Sequence, residues 1–361
     1  MTDIENLSAE ATDLLKQLVA TPRTSRHETD AADILARFME EKGLFPHREA
    51  NNIWCIAEGY DPNRPTLLLN AHIDTVKPVA AWTRDPFRPT LEGDRLYGLG
   101  TNDDGASLVC LLQTFRAMAM RPQSYNLVFL ASAEEEVSGQ DGLSRALPLL
   151  PHIDVALVGE PTGMQPAVAE KGLMVLDVTA TGKAGHAARE EGVNAIYLAL
   201  DDINWFRNYR FPLVSSLLGP VKMSVTVIQA GTQHNVVPDC CTFTVDVRSN
   251  ECYSNEEIYQ HICAAVKGQV KARSFRLNSS RIDVAHPLVQ RAILLGPTAD
   301  GKPRTPFGSP TLSDQALMPW PSMKMGPGDS ARSHTADEYI CIREIRAAIA
   351  DYSQMLDGLQ L

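Results

Sequence analysis

Three stretches, "TLLLNAHID", "NLVFLASAEEE" and "VALVGEP", are continuous apolar runs that finish in histidine or acid. A strand that alternates apolar and polar residues can leave one face in water, but a run that is apolar throughout needs cover on both faces. Helical segments supply that cover. "GASLVCLLQTFRAM" has the length and apolar stripe of a buried helix, and residues 8–19, around Leu14, Leu15 and Leu18, read as an amphipathic one. A second amphipathic helix spans 27–43 around Ala32, Ile34, Leu35 and Phe38, ended by Gly43, and a last helix lies near 343–356. With "NIWCIAEG" as a first short strand and residues 77–97 as a loop dense in proline and aromatics, the pattern predicts an α/β domain with a mostly parallel central sheet.

The pattern changes near residue 173. "LMVLDVTATGK" alternates apolar and polar residues, "AIYLALDDINWFRNY" is helical, and "KMSVTVIQAG", "CTFTVDVRS" and a helix around Ile258 to Val266 follow. These elements predict a small antiparallel sheet with two helices, an inserted α+β domain of ferredoxin-like type at 173–286. Residues 1–172 and 287–361 then form the other domain. The adjacent Cys240 and Cys241 should face opposite sides of a strand.

With 361 residues, 44% of them hydrophobic, the chain can bury a sizeable core in one large or two medium domains. A formal charge of −11 without any basic block argues against nucleic acid as a partner. The opening "MTDIENLSAEATDLL" has acids where a signal peptide has basic residues, and no run approaches membrane-spanning length. Seven cysteines without a CxxC spacing fit thiols in a reducing compartment, so the expected location is the cytoplasm.

His72 and Asp74 are two residues apart, so on a strand they share a face, at the end where parallel sheets bind ligands. A carboxylate beside an imidazole can fix the tautomer of a metal ligand; a pair that caps the strand end is the plain alternative. "GLGTNDDG" puts Asp103 and Asp104 in a glycine-rich turn before a helix, where an N-cap is the plain alternative. "LASAEEEVSG" places Glu134, Glu135 and Glu136 directly after a strand; three adjacent negative charges repel unless solvent or a cation compensates. Glu160 ends a further apolar strand, and "RSHTADEY" offers His334, with Asp337 and Glu338 beyond it. Each group alone has a structural excuse, but their recurrence at strand and loop ends favours one shared site. Two histidines and several carboxylates without cysteine suit zinc, or cobalt and manganese. So many acids favour two ions sharing a carboxylate.

"NAHIDTV", "GLGTNDDG", "ASAEEE", "VGEPT" and "GPGDSARSHTADEY" resemble, in order, the signatures of the M20 metallopeptidase family. The resemblance is to its acetylornithine deacetylase and succinyl-diaminopimelate desuccinylase branch and spans about residues 10 to 355. It implies a zinc-peptidase-like catalytic domain with two zinc ions per subunit. Asp103 would bridge them, with His72 and Glu160 on one ion and Glu136 and His334 on the other. Asp74 would support His72, and Glu135 would be the general base. The family usually reads Asp-Glu-Glu where this chain has three glutamates; placing Glu134 on that aspartate leaves Glu135 as base and Glu136 as ligand.

The inserted domain then resembles the family's lid, which in many members also joins two subunits into a homodimer. "GKAGHAA" implies that His186 stabilises the oxyanion, in some relatives from the neighbouring subunit; a surface-loop histidine is the alternative. "HNVVPDCCTFTVDVR" implies Asn235 and Arg248 as substrate contacts, against the alternative of a plain surface arginine, and "FGSPTLSDQAL" places Ser313 near the substrate carboxylate. Three departures bear on substrate identity. The family commonly has arginine where Leu99 stands, a lysine where this chain has Asp104 and Gly105, and more glycine in 308–314.

The implied reaction is hydrolysis of an Nα-acyl amino acid, acetylornithine, acetylcitrulline or succinylornithine in type, within arginine biosynthesis. A succinyl-diaminopimelate desuccinylase or a dipeptidase on the same scaffold is the nearest rival. A non-catalytic relative should have lost the base or ligands, yet Glu135, His72 and Asp103 are present.

Overall fold

In the computed structural model, which describes residues 4–361, the three apolar runs form strands Thr66–His72, Asn126–Ser132 and Val155–Val158, buried at every position. Thr66–His72 lies between the other two and parallel to both, and Ser322–Lys324 adds a fourth parallel strand beside Val155–Val158. The margins are antiparallel: Asn52–Ile56 and His47–Glu49 at one side, Ala167–Glu170 at the other. The sheet is therefore mostly parallel where it is buried most deeply.

Pleating divides its side chains between two layers. Leu68, Val128, Leu130, Ala156 and Val158 join a cluster with Trp54, Leu143 and Ile153 on one face. Leu67 and Leu69 turn to the other, where helices Ala106–Ala119, Ile342–Leu356 and Ile4–Val19 pack on one another and on the sheet. Each such leucine taken out of water contributes about 1.5–3 kcal/mol.

The first helix starts earlier than its sequence periodicity indicates, at Ile4, and the second is narrower, Thr29–Glu41. The stretch 77–97, expected as loop, holds two three-residue strands, Thr90–Glu92 and Arg95–Tyr97, the second of which pairs with Tyr339–Cys341. Such strands are too short for a period-2 pattern to show in sequence.

Two compact units emerge: residues up to Val168 with Ile282–Phe307 and Ser313–Leu361, and a second of Ala169–Arg281 with Gly308–Leu312. The second has a four-stranded antiparallel sheet in the order Lys222–Ala230, Cys240–Arg248, Met174–Thr181, Gln269–Ala272, with helices Ala195–Asn208 and Asn255–Ala265. Read along the chain this is βαββαβ, the ferredoxin-like arrangement. Leu176, Val178, Phe206, Phe243, Val245 and Ile258 fill its core. Along Cys240–Arg248 burial alternates, leaving Cys240 exposed and Cys241 buried.

Candidate metal centre

Because the central strands are parallel, their C-terminal ends share one edge of the sheet. The loops there carry His72 with Asp74, the run from Glu134 to Glu136, and Glu160. Asp103 comes from the turn before helix Ala106–Ala119. That turn is held by the carboxylate of Glu338, which accepts hydrogen bonds from the backbone N–H groups of Gly100 (3.0 Å), Asn102 (2.8 Å) and Asp103 (2.9 Å).

The two histidines flank Asp103. His72 Nε2 lies 3.2 Å from Asp103 Oδ1, while His334 Nε2 lies 3.6 Å from Oδ2 and 3.0 Å from Glu136 Oε2. One ligand atom each of His72, Asp103 and Glu136 falls within 4.8 Å of the others, and the same holds for His72, Glu135 and Glu160. Asp103 thus presents one oxygen to each imidazole, as a carboxylate shared between two cations must.

His72 Nδ1 donates to the backbone carbonyl of Asp74 at 2.9 Å. A carbonyl only accepts, so Nδ1 carries a proton and Nε2, toward Asp103, is the nitrogen that a cation can take once its proton is displaced. The carboxylate of Asp74 is farther from that nitrogen, at 3.6 Å, and its hydrogen bonds come from Ser25 Oγ (2.6 Å) and the N–H groups of Glu135 (3.0 Å) and Glu136 (3.2 Å). Both the carbonyl and the carboxylate of Asp74 thus face His72 Nδ1, the carbonyl at the shorter distance, and the same carboxylate also holds the glutamate loop.

Charge in this pocket is lopsided. Burial, reinforced by Glu160, Asp314 and Glu136, pushes the Glu135 carboxyl well above the usual glutamate range, with His72 opposing. Burial does the same to Glu160, helped by Asp103 and Asp104 and opposed by Lys324. His72 resists its own burial: hydrogen bonds to Asp103 and Asp74 lift it well above an ordinary histidine. His334 is raised chiefly by its hydrogen bond to Glu136. A cation that displaces these protons relieves the crowding, so imidazole nitrogens and carboxylates at these separations fit a divalent metal of the zinc, cobalt or manganese kind.

The remaining expected residues have other surroundings. His186 and Asn235 are exposed in the second unit, where a short ladder pairs Gly185–His186 with Val236–Val237 and the Asn235 carbonyl accepts from Ala187 N–H at 3.0 Å. Arg248, in the same unit, already has its fork on Asp246, at 2.9 and 3.1 Å. Ser313 belongs to the first unit and is buried, its hydroxyl accepting from Gln315 N–H at 3.3 Å. Sequence reasoning passed over Arg23, Ser25 and Glu28, all within "TPRTSRHE"; the available signal was a polar link too rich in hydrogen-bonding groups for a plain connector.

A model of the family described as Peptidase family M20/M25/M40 matches residues 68–358. The chain belongs to this family. Among similar M20 relatives, the acetylornithine deacetylase of Proteus mirabilis (strain HI4320) is 27% identical over 97% of this chain and 96% of its own. That of Edwardsiella ictaluri (strain 93-146) is 28% identical over 91% and 92%. The M20 fold recurs in the aminopeptidase PepT of Bacillus cereus, at a TM-score of 0.75, 17% identity and coverage of 97% and 98%. It recurs too in the YXEP protein of Bacillus subtilis, described as a dinuclear metal-binding M20 peptidase, at 0.73, 17%, 98% and 100%. The chain is accordingly a hydrolase of the M20 family.

Proposed function

We propose that this M20 hydrolase cleaves the amide of an Nα-acyl amino acid, acetylornithine, acetylcitrulline or succinylornithine in type, and serves arginine biosynthesis in the cytoplasm. The observation that carries the chemistry is Asp103, with one carboxylate oxygen toward His72 and the other toward His334. The substrate class rests on the nearly full-length similarity to acetylornithine deacetylases. All seven cysteines are free thiols, which supports a reducing compartment. No helix among the described residues is long and apolar enough to cross a membrane.

In this reading His72 and Glu160 would hold one zinc, Glu136 and His334 would hold the other, and Asp103 would serve both. The bound ions supply Lewis acidity and make water more acidic. Glu135, its backbone fixed by Asp74, takes the proton of the attacking water and returns it to the departing amine. His186 donates to the oxyanion, and Asn235, Ser313 and Arg248 meet the substrate, with the guanidinium of Arg248 oriented by Asp246.

A panel of acetylated and succinylated amino acids, assayed for free amine with and without a chelator, tests the reading. The expected result is chelator-sensitive release from an acetylated basic or ureido amino acid. Glu135→Gln should lower kcat about 10²–10⁴-fold while metal content stays unchanged. Turnover of dipeptides alone would reassign the substrate, and undiminished kcat in Glu135→Gln would remove the base.

A further inference from the structure

Residues 21–28, "TPRTSRHE", link the first two helices and take no part in the chemistry assigned above. Their side chains nevertheless reach three separate loops. Arg23 is buried; its Nη1 donates to the carbonyl of Ile73, between His72 and Asp74, and its Nη2 donates to the carbonyl of Gly100 at 2.8 Å, at the start of the Asp103 turn. Ser25 Oγ donates to Asp74 at 2.6 Å. Glu28, also buried, accepts from the N–H of Glu134 at 3.1 Å and of Arg26 at 2.9 Å. Backbone bonds from Thr75 N–H to the Arg23 carbonyl (3.0 Å) and from Ser25 N–H to the Thr75 carbonyl (3.2 Å) pin the link itself.

The glycines of "GLGTNDDG" make room for this contact. A Cβ on Gly100 would lie 2.5 Å from Arg23 Nη2, and one on Gly105 would lie 2.9 Å from it. The carboxylates of Glu338, Asp74, Asp104 and Asp103 surround the guanidinium, so it also supplies fixed positive charge beneath an acidic pocket.

We propose that Arg23, Ser25 and Glu28 are positioning residues of the metal centre, fixing from behind the loops that carry His72, Asp103 and Glu136. The proposal rests on the reading of those three residues as ligands. The contacted backbone groups lie close in the chain to the proposed ligands: Ile73 is next to His72, Gly100 opens the turn that ends in Asp103, and Glu134 begins the run that carries Glu136. Ser25 orients Asp74, and Asp74 in turn holds the N–H groups of Glu135 and Glu136. Arg23 ties two loops with one planar fork, which the single ammonium of a lysine cannot reproduce.

The test is metal affinity in the metal-free protein, read by cobalt absorption and by competition with a chelating dye, beside the melting temperature of the same metal-free samples. Ser25→Ala should weaken cobalt binding about 10–100-fold, the range for residues that orient metal ligands. Its metal-free melting temperature should stay close to wild type, because a single partly buried hydroxyl contributes only about 1 kcal/mol. Arg23→Lys should weaken binding in the same direction and alter the cobalt spectrum. Affinity of folded Ser25→Ala within about twofold of wild type overturns the proposal, whatever becomes of Arg23→Lys. A wild-type chain that binds no cobalt instead removes the ligand assignment, and the proposal with it, so the two failures are told apart.

Discussion

Cys55 lies against Met39, its Sγ 3.7 Å from the thioether, and burial pushes its thiol up to about 12. Burial and the neighbouring Glu344 push Cys341 up to about 11. A thiol with a pKa near 12 is only ~10⁻⁴ ionised at pH 8, and the thiolate is the reactive form. Cys240 is exposed. Native protein treated with iodoacetamide at pH 8 should therefore carry the label on Cys240 and not on Cys55 or Cys341, whereas denatured protein should carry it on all three. Peptide mass spectrometry reads the difference, and prompt native labelling of Cys55 would contradict the buried strand in which it sits. The same dependence on surroundings separates the glutamates of "AEEE": Glu134 is held by Glu28, and Glu136 reaches His334.

Between elements, Glu10 on helix Ile4–Val19 accepts from Lys42 Nζ, just past the second helix, and from Arg116 on helix Ala106–Ala119, each at 2.6 Å. Burial works against its charge, yet the hydrogen bonds to Lys42 and Arg116 hold its carboxyl below the ordinary glutamate value. A depressed carboxyl contributes stability that is present above the unfolded value and is lost as pH falls through the folded one. The pair is partly solvated, so Glu10→Gln should cost at most about 1 kcal/mol at pH 7 and nothing in strong acid. Melting curves of both proteins at pH 7 and pH 3 test this; an equal gap at both would rule out the ion pairs as its source. Elements of this size were legible in the sequence because fully apolar strands and 3.6-residue stripes leave long signatures, as at Thr66–His72 and Ala106–Ala119. Of the residues proposed as ligands, His72, Glu136 and Glu160 draw attention in the sequence because they stand at or just beyond the ends of such strands. What escaped was tertiary: strand Arg95–Tyr97, on which Thr90–Glu92 folds back, pairs with Tyr339–Cys341 more than two hundred positions away, and Arg23 draws its role from carbonyls on two other loops.

At the scale of the molecule, a homodimer of the kind the family resemblance implies would find a seam in the second unit. Lys222–Ala230 is an edge strand, and Val227 and Ile228 on it are 49% and 52% exposed; Tyr197 and Leu200 of helix Ala195–Asn208 are 69% and 44% exposed. An open edge beside uncovered apolar side chains invites a second copy to pair about a two-fold axis. Light scattering at micromolar concentration should report a dimer for the wild type and a monomer for Ile228→Lys, with the melting temperature little changed. A monomeric wild type would remove the seam. The hydrogen bond from Gly100 to Glu338, finally, joins residues 238 positions apart. A growing polypeptide therefore leaves the ribosome with its Asp103 turn lacking the Glu338 carboxylate for most of synthesis. Ions captured before Glu338 emerges would find loose acids and no cradle, so loading belongs after folding, and fragments lacking that segment should emerge as scavengers of metal without a defined stoichiometry.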